Sequence, residues 1–213
     1  MPETATPVEE FARALDTHAA RYGLQLSADA TTTLRDYYEM VQAWNARLHL
    51  VAPCSPAEFA TRHVLESLLA IRHLPDNARI ADIGSGAGLP IIPCLIARPD
   101  IRATLIESSP KKAVFLREAL RATGTSERTQ VVAERFEKTP TPDAGIITCR
   151  ALDRFIASFS NILAWSPHVS RLLLFGGPTL QAELEKARLS YDAFQIPNSE
   201  QRFLFVIEMP TEI

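Results

Sequence analysis

Nine consecutive residues of this chain have types and spacing that suggest chemistry: Asp82-Ile83-Gly84-Ser85-Gly86-Ala87-Gly88-Leu89-Pro90. Glycine accepts positive φ and lets a ligand lie against the main chain with no Cβ in the way. The apolar residues Ile80, Ala81 and Ile83 read as a strand entering this turn. Pro90 and Pro93 fall near the start of the helix that leaves it, where a missing N–H costs little. Ala103 to Ile106 reads as a second strand with Glu107 at its end. A carboxylate about twenty residues beyond the first glycine is where a strand–turn–helix–strand unit accepts from two ribose hydroxyls. The competing reading is an ordinary α/β domain with a tight turn and a solvated Glu107.

The glycine spacing is G-x-G-x-G rather than G-x-G-x-x-G, and Asp82 precedes Gly84 by two. That variant is typical of S-adenosylmethionine sites more than of dinucleotide sites. For a methionine-derived ligand, Asp82 is expected to orient the turn or to reach the α-amino group through water. Arg150 closes a later strand and has two readings: lining this cofactor and guiding a substrate, or pairing with Asp153 or Glu137 on the surface. Cys149 lies beside it. With no partnered proline or second cysteine it reads as a small buried residue, not a nucleophile. His63, Glu66 and His73 are not read as metal ligands, because histidines ten residues apart share no helix face well. Lys111, Lys112, Arg117 and Arg121 give one helix a basic character; with Arg47, His49, Arg62 and His63 they form a candidate phosphate-contacting rim.

These residues need elements to hold them. Residues 1–75 read as a helical lead-in packed on the core, and 76–213 as an α/β domain. Met1 to about Pro7 reads as frayed. Val8, Phe11, Leu15 and Ala19 recur at helical spacing, and Gly23 is a stop. Ser27 or Asp29 caps a second helix striped with Leu34, Tyr37, Tyr38, Val41, Trp44 and Leu48, read as core. Ser55 and Glu58 have capping-box spacing for a third, running to about His73 with Arg62, His63 and Glu66 on or near a polar face. Beyond Glu107, Ser108 to Leu120 reads as a capped amphipathic helix stopped by Gly124. Gln130 to Ala133, Gly145 to Cys149 and Arg171 to Phe175 read as strands. Phe155, Phe159 and Leu163 mark one helix, and Thr179 to Leu189 another. Tyr191 to Ile196 and Arg202 to Ile207 read as a hairpin with an antiparallel strand. Alternating strands and helices imply a mostly parallel sheet covered on both faces, with ligands at its carboxyl ends.

The chain has 213 residues, is 46% hydrophobic and carries a net charge of −3. That suits one good-sized core and excludes a global basic field for nucleic acid, so RNA contact requires local patches. The three cysteines fit neither a metal spacing nor a disulfide framework. The opening residues lack a signal-peptide pattern and no apolar run is long enough to span a membrane, so a cytoplasmic setting is expected, and a monomer, because no apolar stripe beyond the core is left to explain.

Taken together, the motifs resemble the bacterial small-subunit (16S) ribosomal RNA guanine-N7 methyltransferases, the glucose-inhibited division protein B family. The residues that carry the resemblance are Trp44-Asn45 and Leu50, Arg62-His63 with Glu66-Ser67-Leu68, the Asp82 to Pro90 turn, and Glu107-Ser108 with Lys111-Lys112 and Phe115-Leu116. Arg135-Phe136-Glu137 and Cys149-Arg150-Ala151 complete it. It implies a Rossmann-like class I S-adenosylmethionine-dependent methyltransferase fold with extra N-terminal helices. It also implies a cofactor site at Gly84, Leu89, Phe136, Glu137 and Arg150, beside Asp82, Gly86, Gly88 and Glu107 from the motif itself, and small-subunit rRNA or the small ribosomal subunit as partner. The family usually has asparagine where this chain has His49, glycine at Ile91, aspartate at Glu66, and a lysine–glycine pair where Phe175-Gly176 stands.

Guanine N7 carries a lone pair and no proton, so methylating it needs no general base, and no catalytic residue or metal is expected. No Asn-Pro-Pro-aromatic string follows the fourth strand, which disfavours an amino methylase. The competing functions are a small-molecule methyltransferase and a non-catalytic rRNA-binding or ribosome-assembly module. The glycine spacing disfavours a nicotinamide-dependent oxidoreductase.

Overall fold

A computed structural model describes residues 5–150, 159–165 and 171–209 of the chain. Seven strands form one sheet: β1 (Arg79–Ile83), β2 (Arg102–Ile106), β3 (Thr129–Val132), β4 (Ile146–Arg150), β5 (Arg171–Gly176), β6 (Asp192–Gln195) and β7 (Phe203–Glu208). Their order is β3-β2-β1-β4-β5-β7-β6. The first five run parallel; β7 is antiparallel to β5, and β6 to β7. The hairpin expected at the C-terminus is therefore present, and β7 is the strand that reverses. Strand order also reverses on either side of β1, which opens a crevice beyond its carboxyl end.

Side chains sort by strand period. Ile80, Leu105, Ile146, Leu173 and Leu204 point to one face of the sheet, while Ala81, Ile106, Ile147, Leu174 and Phe205 point to the other. The second face is covered by α7 (Phe159–Trp165) and α8 (Pro178–Lys186), through Phe159, Ile162, Leu180 and Leu184. The helix expected around Phe155 is thus observed from Phe159; Phe155, Asp153 and Ala151 lie outside the described residues.

The first face carries α5 (Ile91–Ala97), α6 (Pro110–Ala122) and the N-terminal helices α1 (Pro7–His18) and α2 (Ala28–Leu48). Thr6 and Glu9 form a reciprocal capping box on α1, and a 3-10 turn over Ala19–Tyr22 carries it to Gly23, at φ +61. Ser27, not Asp29, caps α2. The expected stripe on α2 is core: Phe11 and Tyr38 stack at 4.5 Å, and Trp44 meets Phe115 edge-on at 5.8 Å. The buried Tyr37 hydroxyl donates to the Ala87 carbonyl at 2.7 Å, tying α2 to the glycine turn.

The third helical segment departs from the expected uniform helix. It opens as α3 (Pro56–Glu58), widens to a π-helix over Phe59–Leu65, returns to α geometry as α4 (Glu66–Leu68) and tightens to 3-10 over Leu69–His73. Ser55 accepts from the Glu58 N–H, but the reciprocal half of the box is missing, because the Glu58 carboxylate pairs with Arg62 at 2.8 Å instead. No described helix is long and apolar enough to cross a membrane.

Candidate active site

The crevice beyond β1, β2 and β4 holds a cavity of about 880 Å³. One wall is main chain. Gly84, Gly86 and Gly88 all take positive φ, at +68, +54 and +86. The Gly84 and Ser85 N–H groups donate to the Ile106 carbonyl at 2.9 and 3.2 Å, closing the turn onto the end of β2. Glu107 is buried and not solvated. Its Oε2 accepts from the Gly86 N–H at 2.9 Å and its Oε1 from the Ser109 N–H at 2.7 Å. One carboxylate thus braces the turn against the start of α6 while still lining the cavity.

The glycines divide by what a Cβ would meet. At Gly86 the nearest group would be the Gly84 carbonyl at 3.6 Å, so the bare backbone there is an open surface for a ligand. At Gly88 a Cβ would lie 2.3 Å from Ile92 and 3.3 Å from Leu116. Gly88, expected at the cofactor, does not line the cavity; it allows helix packing behind the turn. Asp82 does not line it either. It is fully buried; Oδ1 accepts from the Thr148 hydroxyl at 2.7 Å and Oδ2 has no hydrogen-bond partner. Burial pushes its carboxyl up to about 7. Asp82 therefore acts from beneath the turn.

Phe136 and Glu137 line the cavity from the 3-10 turn Phe136–Lys138 after β3, with Phe136 edge-on to Trp165 at 5.7 Å. Leu89, Lys112 and His63 line it as well. Arg62 and Lys111 do not, and their side chains are exposed. The segment Leu50 to Pro53 forms a further stretch of wall, a role the sequence did not assign to it. Its one local signal is His49, which ends α2 at φ +48. Asparagine, usual there in the family, and histidine are both enriched in that left-handed region, so the departure conserves the backbone.

The opposite wall is built from side chains. Arg150 lines the cavity, but its donors point to the third helical segment. Nη1 donates to the His63 carbonyl and the Ser67 hydroxyl, both at 3.0 Å, and Nη2 to the Arg62 carbonyl at 2.6 Å. Two of these acceptors are main-chain carbonyls of the π-helical turn, and the His63 carbonyl also receives the Glu66 N–H. Nη2 also lies 3.3 Å from His63 Nδ1 and 3.4 Å from Glu66 Oε2. Among the described residues the carboxylate partner of Arg150 is Glu66 and not Glu137, one of the two surface partners considered; Glu66 is buried and also receives Arg202. Glu66, expected on or near a polar face, is thus a buried anion between two arginines. Arg150 also sits 6.0 Å over the Phe175 ring, at the position where the family usually has lysine. A second cation there would face the guanidinium. Desolvation and the neighbouring arginines push His63 down to about 3, so its ring is neutral. Cys149 is fully buried with its thiol pushed up, which disfavours the thiolate. Among the described residues no group of three or more histidines, cysteines or carboxylates could hold a metal ion.

The sheet order, the glycine turn at its crevice and the braced acid after β2 define the class I methyltransferase fold. The chain belongs to the family described as rRNA small subunit methyltransferase G, whose model matches residues 30–204. It is 34% identical over 188 residues to the ribosomal RNA small subunit methyltransferase G of Desulfotalea psychrophila, covering 84% of each chain. The Xanthomonas campestris protein of the same name is 39% identical over 154 residues, covering 70% of this chain and 69% of that one. Among solved structures, an RNA methyltransferase from Salinibacter ruber in complex with S-adenosyl-L-homocysteine superposes with a TM-score of 0.56. It shares 16% identity and covers 76% of this chain and 96% of its own. A Nostoc punctiforme protein described as a putative O-methyltransferase gives 0.58 at 13% identity, over 93% of this chain and 71% of that one.

Proposed function

We propose that this protein transfers a methyl group from S-adenosylmethionine to N7 of a guanine in a loop of small-subunit 16S rRNA. Family membership supports an rRNA methyltransferase. The observation that carries the cofactor reading is the bare main chain at Gly86 facing the cavity with the Glu107 carboxylate bonded to its N–H. In this reading Gly84, Gly86, Leu89, Glu107, Phe136 and Glu137 hold the cofactor, while Asp82 and Gly88 shape the turn from behind. When bound, the cofactor supplies an electrophilic methyl on a sulfonium. The protein's part is to hold the acceptor in line and exclude water.

Methylation of an acceptor that brings no proton calls for no general base at this site. Glu107 is committed to two backbone donors, and His63 to Arg150. Guanine N7 is such an acceptor, exposed on the base edge, and RNA loops splay their bases for this kind of access. The N-terminal 75 residues form part of the wall on which the target base is received. Lys111 and Arg62, exposed beside the cavity, are available to phosphates. The protein works as a monomer in the cytoplasm, where its rRNA is made.

The test is methyl transfer from labelled S-adenosylmethionine to small subunits and naked rRNA from a strain lacking the enzyme, followed by mapping of the modified base. Label at one 7-methylguanine is the expected result. Cofactor binding without label would point to a small-molecule methyltransferase. Neither binding nor label would point to a non-catalytic module.

A further inference from the structure

The sequence places His63 in a phosphate-contacting rim, but its surroundings are those of a base reader. Arg150 can only donate, so where its Nη2 meets His63 Nδ1 at 3.3 Å the ring nitrogen must accept. A neutral imidazole has one proton, which is thereby fixed on Nε2. Among the described residues Nε2 has no hydrogen-bond partner, and His63 is one of the residues lining the cavity. The ring is also held: Phe59 packs against it at 5.1 Å between centroids, and the His63 carbonyl receives Arg150 at 3.0 Å and the Ser67 hydroxyl. Around the imidazole stand Arg62 from its own segment, Arg150 from β4, Arg202 from the residues before β7, and Glu66 bridging the last two. Burial first, and then three cations against one buried carboxylate, keep the ring from taking a second proton.

We propose that His63 reads O6 of the target guanine through an Nε2–H donor, making it a specificity determinant for guanine over adenine. This rests on the N7 reading above. Guanine presents N7 and O6 side by side as acceptors, whereas adenine places an amino donor beside N7. A fixed donor at the cavity wall pairs with O6, leaves N7 free to react, and opposes the adenine amino group. Neutrality matters too, because N7 methylation leaves positive charge on the base that an imidazolium would repel. Arg150, Ser67 and Phe59 are positioning residues in this scheme: they set the tautomer and the ring plane and touch no substrate.

The test uses rRNA with the mapped guanine replaced by inosine, which keeps O6 and N7, or by 2-aminopurine, which keeps N7 and lacks O6. Wild type is expected to methylate inosine as it does guanine and to lose roughly tenfold to a hundredfold in kcat/KM on 2-aminopurine. His63→Ala should lose a similar factor on guanine and nothing further on 2-aminopurine, with His63→Gln recovering part of the loss. S-adenosylhomocysteine affinity, kept within about twofold, certifies that the variant is folded. Two results would each overturn the proposal: a His63→Ala enzyme that keeps the full wild-type drop on 2-aminopurine, or a wild type indifferent to O6. A wild-type activity that falls as pH rises through the ordinary imidazole range, and does not in His63→Gln, would overturn the neutral donor. Failure of wild type to form 7-methylguanine on unmodified rRNA would instead remove the underlying reading.

Discussion

The two walls of the cavity are made in different ways. The glycine wall runs from β1 through the turn to Glu107. It is held by main-chain hydrogen bonds and one carboxylate that accepts from two N–H groups. Its contacts are short-range in sequence, about the span of one strand–turn–helix–strand unit. The helical wall joins His63 and Glu66 to Arg150 and Arg202, a cluster in which the bonded pair Glu66 and Arg202 lie 136 residues apart in sequence. It is held by side-chain charge and by Arg150 donating to main-chain carbonyls of the π-helical turn. A wall of backbone tolerates sequence change wherever no Cβ is added. A wall of buried charge tolerates almost none, because each member compensates another.

The sharpest break in this comparison is Arg150→Met. It leaves Glu66 buried with one arginine instead of two, and should cost about 3 kcal/mol or more in urea unfolding. A cost below about 1 kcal/mol would mean that the helical wall is not held by the pair. Next come the two glycines. Gly88→Ala strains a positive φ and overlaps Ile92, so a loss of about 2 to 4 kcal/mol of stability is expected. Gly86→Ala has room and should cost only about 1 kcal/mol in the same assay. Its Cβ enters the cavity, and calorimetry should show at least about a tenfold loss of S-adenosylhomocysteine affinity. Equal stability losses for the two would collapse the distinction between packing and binding glycines.

The walls should also respond to pH with opposite sign. Asp82 titrates near 7 when folded and near 4 when unfolded, so over that interval the native state holds the extra proton and stability falls as pH rises. His63 titrates near 3 when folded and near 6.5 when unfolded, so there the unfolded state holds the extra proton and stability rises with pH. Where the windows overlap, between about 4 and 6.5, the two slopes oppose one another. Urea midpoints across this range should therefore rise with pH in Asp82→Asn and fall in His63→Gln, relative to wild type. Parallel profiles would remove one of the two assignments. The smallest effect belongs to the rim: Lys111→Glu should weaken rRNA binding a few-fold and lower its salt slope by about one or two units, with cofactor affinity unchanged.

Much of the architecture was legible because it is written in short-range patterns. The short apolar runs of β1, β4 and β5, the caps Ser27, Ser55 and Ser109, and the stops Gly23 and Gly124 all act within a few residues. Glu107 was legible in place but not in role, because its bonds to Gly86 and Ser109 appear only when the turn closes on β2. The π-helical stretch over Phe59–Leu65 carries no local signal, since its residues would also fit an ordinary helix. The place of Leu50 to Pro53 in the wall was not legible, because a loop's contribution to a wall depends on what it is folded against.

By itself, the sequence determined the order of elements, the glycine turn and its acid, and the apolar faces that require a covered sheet. These follow from steric limits on φ, from strand and helix periods and from local hydrogen bonding. Only the tertiary structure decided which glycine faces a ligand and which faces Ile92, that Asp82 sits beneath the turn, and that Arg150 spends its donors on the segment carrying His63 and Glu66. Those outcomes turn on desolvation and on charges brought together across the chain, and both exist only once the core has closed.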